Sequence, residues 1–260
     1  MPNSLGLSRS IPADVKRAVR QRCYFGCVVC AASIYQYDHL EPEFASAAVH
    51  DPKGIILLCP TCHELKKKGL LNLDFLKQKS LQPAARSYGA SAISLPYFED
   101  IPLTVFGGGV SFQGVPVPFQ IDDVPILSFS APEPGSSVTR VNAALSDPSG
   151  ETMLRIVDNE WLVQSGVWDF EWVGSRMSIF DAEKSEALRL VIFAPHQIQI
   201  DKLMSKHDKI LIKIDGADLC IDYATVIACP VQEFSIGLMA ISDPKYEPDS
   251  AGILIRCYPE

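Results

Sequence analysis

The segment GIILLCPTCHELKKKG, Gly54 to Gly69, runs four apolar residues into Cys-x-x-Cys-His and then into three lysines. The apolar run is short and partly β-branched, which predicts a buried strand, while HELKKKGLLNLDFLKQK is helical in composition and broken at Gly69. A pair of thiols at the junction of a strand and a helix presents two sulfurs to one ion and needs a second pair to complete the set. Cys27 and Cys30 have the same spacing and supply it, so Cys27, Cys30, Cys59 and Cys62 together offer the four thiolates that a tetrahedral structural zinc prefers. Gly26 and Pro60 provide the turns. Cys23 is a nearby alternative to Cys27, but the two-residue gap of Cys27 and Cys30 makes the better knuckle.

Composition agrees with a reduced metal site. The chain has 260 residues, 47% of them apolar, enough for a real core and unlike a disordered or collagen-like chain. Its beginning, MPNSLGLSRSIPADVKRAV, lacks an apolar secretory region, and no window approaches the ~18 apolar residues of a membrane span. The expectation is a cytoplasmic protein with no membrane partner, whose eight cysteines stay reduced. The net charge of -8 argues against nucleic acid until it is divided by position. Residues 1–90 hold 12 Lys+Arg and 7 Asp+Glu, a net of +5; the remainder holds 11 and 24, a net of -13. A basic piece that can meet phosphates is joined to an acidic piece that repels them.

The boundary follows the composition. Ser10 reads as an N-cap before a helix through PADVKRAVRQRCYF, with Val15, Ala18 and Val19 inward and Arg17, Arg20 and Arg22 outward. With the thiol pairs and the later helices this makes a small unit over 1–82. Residues 83–96, rich in Pro, Ala and Ser, read as a linker. From Tyr97 onward, short segments of period two such as RMSIF, LRLVIF and KILIKI recur at spacings of roughly 8 to 12 residues, which predicts an acidic, mainly antiparallel β-domain over 97–260, a sandwich or a compact solenoid. The fold class is therefore α+β. Trp161, Trp168 and Trp172 are interleaved with acidic residues, so they read first as aromatic core and second as a protein-contact face, not as a base-stacking platform.

The histidines need an explanation of their own. His39, His50 and His63 all lie in the basic piece, and a zinc already held by four sulfurs uses none of them. Asp38 and His63 are good ligands for a second, hydrolytic ion, and His39 beside Asp38 can take a proton from water at neutral pH.

Taken in order, the basic helix, Cys-x-x-Cys, Asp-His, apolar strand, Cys-x-x-Cys-His and lysine resemble the HNH endonuclease family over about residues 9 to 80. The resemblance implies a ββα-metal core with an embedded zinc knuckle. It further implies that Asp38 and His63 hold a catalytic divalent ion, usually magnesium or manganese, and that His39 is the general base for attack on a phosphodiester. Lys66 stands where the family often has a lysine in the last helix, and with Lys67 and Lys68 it would meet the DNA backbone. A lysine run alone is more often a solvated face; beside Arg17, Arg20 and Arg22 it reads as part of a DNA-binding surface.

One position departs from the family. Its middle residue, commonly Asn or His and five positions before the third cysteine, is here Gly54, which has no side chain to orient a base. His50 is the available substitute, and Gly54→Asn is expected to be tolerated. The leading reading is a metal-dependent DNA endonuclease, with homo-oligomerisation or a protein partner acting through the β-domain near Trp161 to Trp172. Such a protein would suit phage defence, restriction or a mobile element. The rival is a zinc-knuckle module that only docks DNA or protein.

Overall fold

A computed structural model of the chain describes residues 2–94, 98, 100–107, 110–121, 124–207, 210–216, 218–223, 226–230 and 251–255. The fold is α+β with mostly antiparallel sheets, divided into two compact units: Met1–Ile93 with Leu162–Phe170, and Ser94–Trp161 with Glu171–Glu260. No helix among the described residues is long and apolar enough to cross a membrane.

The first unit is built on the segment that opened the sequence. Strand β2, Ile55–Leu58, pairs antiparallel with β1, Gln36–His39, placing Asp38 opposite Ile56 and His39 opposite Ile55. All four β2 side chains are fully buried, worth about 1.5–3 kcal/mol each as an upper estimate. Around them pack Val19 of helix α1, Ala13–Arg22, Val28, and Leu76 of a later helix, Leu73–Leu81. Helix α2, Pro60–Lys67, starts directly after β2, and Gly69 ends that turn with φ of 73°. The residue preceding α1 is Pro12, with no side-chain cap, so Ser10 does not serve as the predicted N-cap.

Residues 83–94 of the segment predicted as a linker are structured. They carry a helix, Ala84–Tyr88, and a strand, Ala90–Ser94; Ala84 and Ala85 are buried, and Ala92 bridges Ala32. Small residues that look like linker composition here serve close packing.

The unit is completed by Leu162–Phe170, which begins 69 positions after Ile93. Asp169, 1% exposed, faces Arg20, 4% exposed. Arg20 Nε donates to Oδ1 at 2.9 Å and Nη2 to Oδ2 at 2.7 Å, while Nη1 reaches the Tyr37 hydroxyl at 2.9 Å. This bidentate pair ties α1 both to the returning segment and to the strand carrying Asp38 and His39. Breaking one side of a buried pair costs on the order of 3–5 kcal/mol, because the other charge stays buried and unpaired. Asp169→Ala should therefore lower the denaturation midpoint sharply, and Arg20→Met with Asp169→Leu should recover most of it. Chemical denaturation of the three variants checks this, and wild-type stability for Asp169→Ala would refute it.

The second unit holds two sheets. One orders Ala251–Ile255, Val117–Ile121, Val124–Ser130, Arg140–Ser146 and Thr152–Val157; the other orders Arg176–Phe180, Glu186–Phe193, Gln197–His207, Ile210–Asp215, Asp218–Tyr223 and Val226–Pro230. Leu127, Ala143, Leu145 and Ile156 of the first meet Leu190, Ile198 and Ile200 of the second across a narrow apolar slot that also includes Trp161. The two sheets thus face each other across this slot. Trp161 is 1% exposed and so lies in the core, not on the proposed contact face.

Candidate metal centre and active site

The four cysteines predicted as ligands converge. All four sulfurs lie within 4.8 Å of one another, with Cys30 to Cys59 at 3.6 Å and Cys30 to Cys62 at 3.9 Å. A tetrahedron with metal–sulfur bonds of about 2.3 Å has edges of about 3.8 Å, so the donor set and its spacing fit zinc. The first knuckle closes through Ala31 N–H to the Cys27 carbonyl at 2.8 Å, with Ala31 at φ of 63°, and through Cys27 N–H to Ala32 at 2.9 Å. The second uses the helix end: Cys59 caps α2 and its sulfur accepts from Cys62 N–H at 3.4 Å, with Pro60 in the first turn. Cys23 is buried outside this group.

Crowding four sulfurs carries an electrostatic demand. Burial, then the Cys27 charge and hydrogen bonding with Cys59, pushes Cys62 far up; burial pushes Cys30 up to about 11. Burial also opposes the Cys59 thiolate, but hydrogen bonds from Cys62 N–H and from the other thiols hold it below its ordinary value. A divalent cation among the sulfurs would remove this repulsion.

One turn of α2 connects that cluster to the histidines. Cys62 faces the sulfurs, whereas His63 and Lys66, three residues apart, share the face that meets Asp38. His63 Nε2 lies 3.6 Å from Asp38 Oδ1, and Lys66 Nζ pairs with Oδ2. The pair thus presents one imidazole nitrogen and one carboxylate oxygen to the same cavity.

On the neighbouring position of β1, His39 is held by aromatic and polar contacts. Its ring packs edge-on against Phe44, centroids 5.4 Å apart, and its Nε2 is 3.1 Å from His50 Nδ1. His50 Nε2 lies 2.9 Å from the Ser8 carbonyl oxygen. A carbonyl can only accept, so neutral His50 carries its proton on Nε2 and accepts at Nδ1 from His39 Nε2–H. This assignment leaves Nδ1 as the basic nitrogen of His39. Burial first, then His50 and Lys66, lower the pKa of His39 against the opposing pull of Asp38, which favours the neutral, basic form.

Gly54 does a different job from the side chain it replaces. Its carbonyl accepts from Leu40 N–H at 2.8 Å, and an added Cβ would stand 2.4 Å from the Glu41 carbonyl oxygen. The expectation that Gly54→Asn is tolerated is therefore corrected: the strand cannot approach this closely with any side chain at 54.

The arginines expected on the DNA surface are engaged elsewhere. Arg20 is buried against Asp169; Arg17 pairs with Asp169 at 3.1 Å and lies 4.7 Å over the Trp168 ring; Arg22 donates to the carbonyls of Ile55 and Ser80. Two of the three, Arg17 and Arg20, are engaged by the returning segment, which no local pattern signals. Lys68 pairs with the exposed Glu64 at 3.8 Å. A cavity of about 710 Å³ opens over Asp38, His39 and His63, and its wall also includes Lys66, Lys67, Phe44 and Arg9, the last two unmarked by sequence reasoning. No family model, no curated protein and no solved structure matches the chain.

Proposed function

We propose that the chain is a metal-dependent DNA endonuclease of the HNH type, with a ββα-metal core and a structural zinc. The observation carrying this reading is the convergence of Asp38 and His63 at 3.6 Å beside a histidine whose tautomer is fixed, on one open cavity. The β1–β2 hairpin followed by α2 supplies the same order of elements. Asp38 and His63 would hold a magnesium or manganese ion, which would polarise the phosphate oxygens when bound. Lys66 would yield Asp38 to that ion and turn its charge toward phosphate. His39 takes the proton of the attacking water at Nδ1, and its Nε2–H stays anchored to His50, so the ring does not rotate during transfer. His50 thus fills the orienting role left open at Gly54.

Nicking of supercoiled plasmid by the full chain, with magnesium, manganese, nickel or zinc added in turn, tests the reading. Wild type should nick with at least one ion, and His63→Ala should need a higher concentration of it. DNA binding without nicking under every ion would instead support the rival docking module.

A further inference from the structure

The wall of this cavity includes a part of the chain that the proposed chemistry does not use. Residues 3–9 form a folded arm. Asn3 Nδ2 donates to the carbonyls of Phe44 at 2.6 Å and Ala47 at 2.7 Å, and its Oδ1 accepts from the N–H groups of Leu5 and Leu7 at 3.0 and 2.8 Å. Ser8 anchors His50 at the far end of the arm. Arg9 follows directly, with its guanidinium 4.8 Å over the Phe44 ring, and Phe44 is the ring that packs against His39. Phe44 therefore fixes the guanidinium and the imidazole relative to each other.

Arg9 differs from the arginines of α1 in its partners. Arg17 and Arg20 are matched to a carboxylate and Arg22 to carbonyls, whereas Arg9 is exposed and makes no ion pair among the described residues. Three cationic side chains, Arg9, Lys66 and Lys67, and two carboxylates, Asp38 and Glu43, line the cavity, and Lys66 is already paired with Asp38. A planar fork of donors backed by an aromatic face is suited to a phosphate oxygen pair.

We propose that Arg9 is the phosphate-binding residue of this cavity, gripping the non-bridging oxygens of a nucleic-acid phosphodiester. The choice of a polynucleotide as ligand rests on the endonuclease reading; the anion site itself does not require cleavage.

The test is fluorescence anisotropy of a labelled duplex oligonucleotide titrated with the full chain across a salt series, without added divalent ion. Arg9→Gln should weaken binding about tenfold and reduce the salt slope by about one, the loss expected for one phosphate contact. Arg9→Lys should keep the slope and lose part of the affinity, because it retains charge but not the fork. Asn3→Ala, which releases the arm without touching Arg9, should also weaken binding. Unchanged zinc content and circular dichroism confirm that each variant is folded. Wild-type affinity and slope for Arg9→Gln would overturn the proposal, as would failure of the wild type to bind DNA. The two readings separate cleanly. Weakened binding by Arg9→Gln in a chain that never nicks plasmid upholds the phosphate site and sinks the nuclease. Equal binding and nicking by Arg9→Gln and wild type does the reverse.

Discussion

His39→Ala is expected to lower the plasmid nicking rate by ~10²- to 10⁴-fold, the usual loss when a positioned base is removed. Zinc content and DNA affinity should stay near wild type, since the imidazole is not one of the four sulfur donors and Arg9 keeps its place over the Phe44 ring. His50→Ala should fall between the two, because the base keeps its nitrogen but loses the partner 3.1 Å away that fixes its tautomer and ring angle. Single-turnover nicking at saturating protein measures the rate apart from binding. Equal rates for His39→Ala and wild type would remove the base from the mechanism.

The second large effect is on folding. Wild-type protein should carry one zinc per chain after dialysis, and Cys59→Ser should lose it. The substitution is informative because serine keeps the α2 cap that Cys59 provides while removing the thiolate. A loss of stability then reports the metal and not the cap. Apparent zinc binding energies of about 10–16 kcal/mol compare with a total stability of about 5–15 kcal/mol for a typical domain, so the first unit should become protease-sensitive. Cys23→Ser, outside the sulfur group, should keep its zinc. Elemental analysis and limited proteolysis of both variants decide the ligand set; full occupancy in Cys59→Ser would exclude Cys59 from it.

Much of this was legible locally. The pairing of Cys27 and Cys30 with Cys59 and Cys62 follows from spacing, because two residues between thiols are what one tight turn can place around one ion, and the structure brings those four together. The buried strand at Ile55–Leu58 and the change to period-two β segments after residue 97 are equally local, since burial of one face and strand pleat write themselves into consecutive residues. The meeting of Asp38 with His63 was foreseen from their ligand chemistry and from the family resemblance, and their supporting partners were not foreseen in detail.

Tertiary structure decided what distance along the chain conceals. Arg20 looked like a solvent-facing charge because a basic residue on a helix carries no mark of what will cover it; its partner, Asp169, lies 149 residues away. The small residues at 83–96 looked like a linker because close packing and flexibility select similar compositions. Gly54 looked like a missing side chain, but the backbone of Glu41, 2.4 Å from any Cβ there, makes glycine the residue that the strand geometry requires. Sequence by itself determined which four cysteines gather and the α+β fold class, which depend on short-range spacing and periodicity. Which charges remain available to a ligand, and which are used in the core, was set by segments that meet only when the chain is folded.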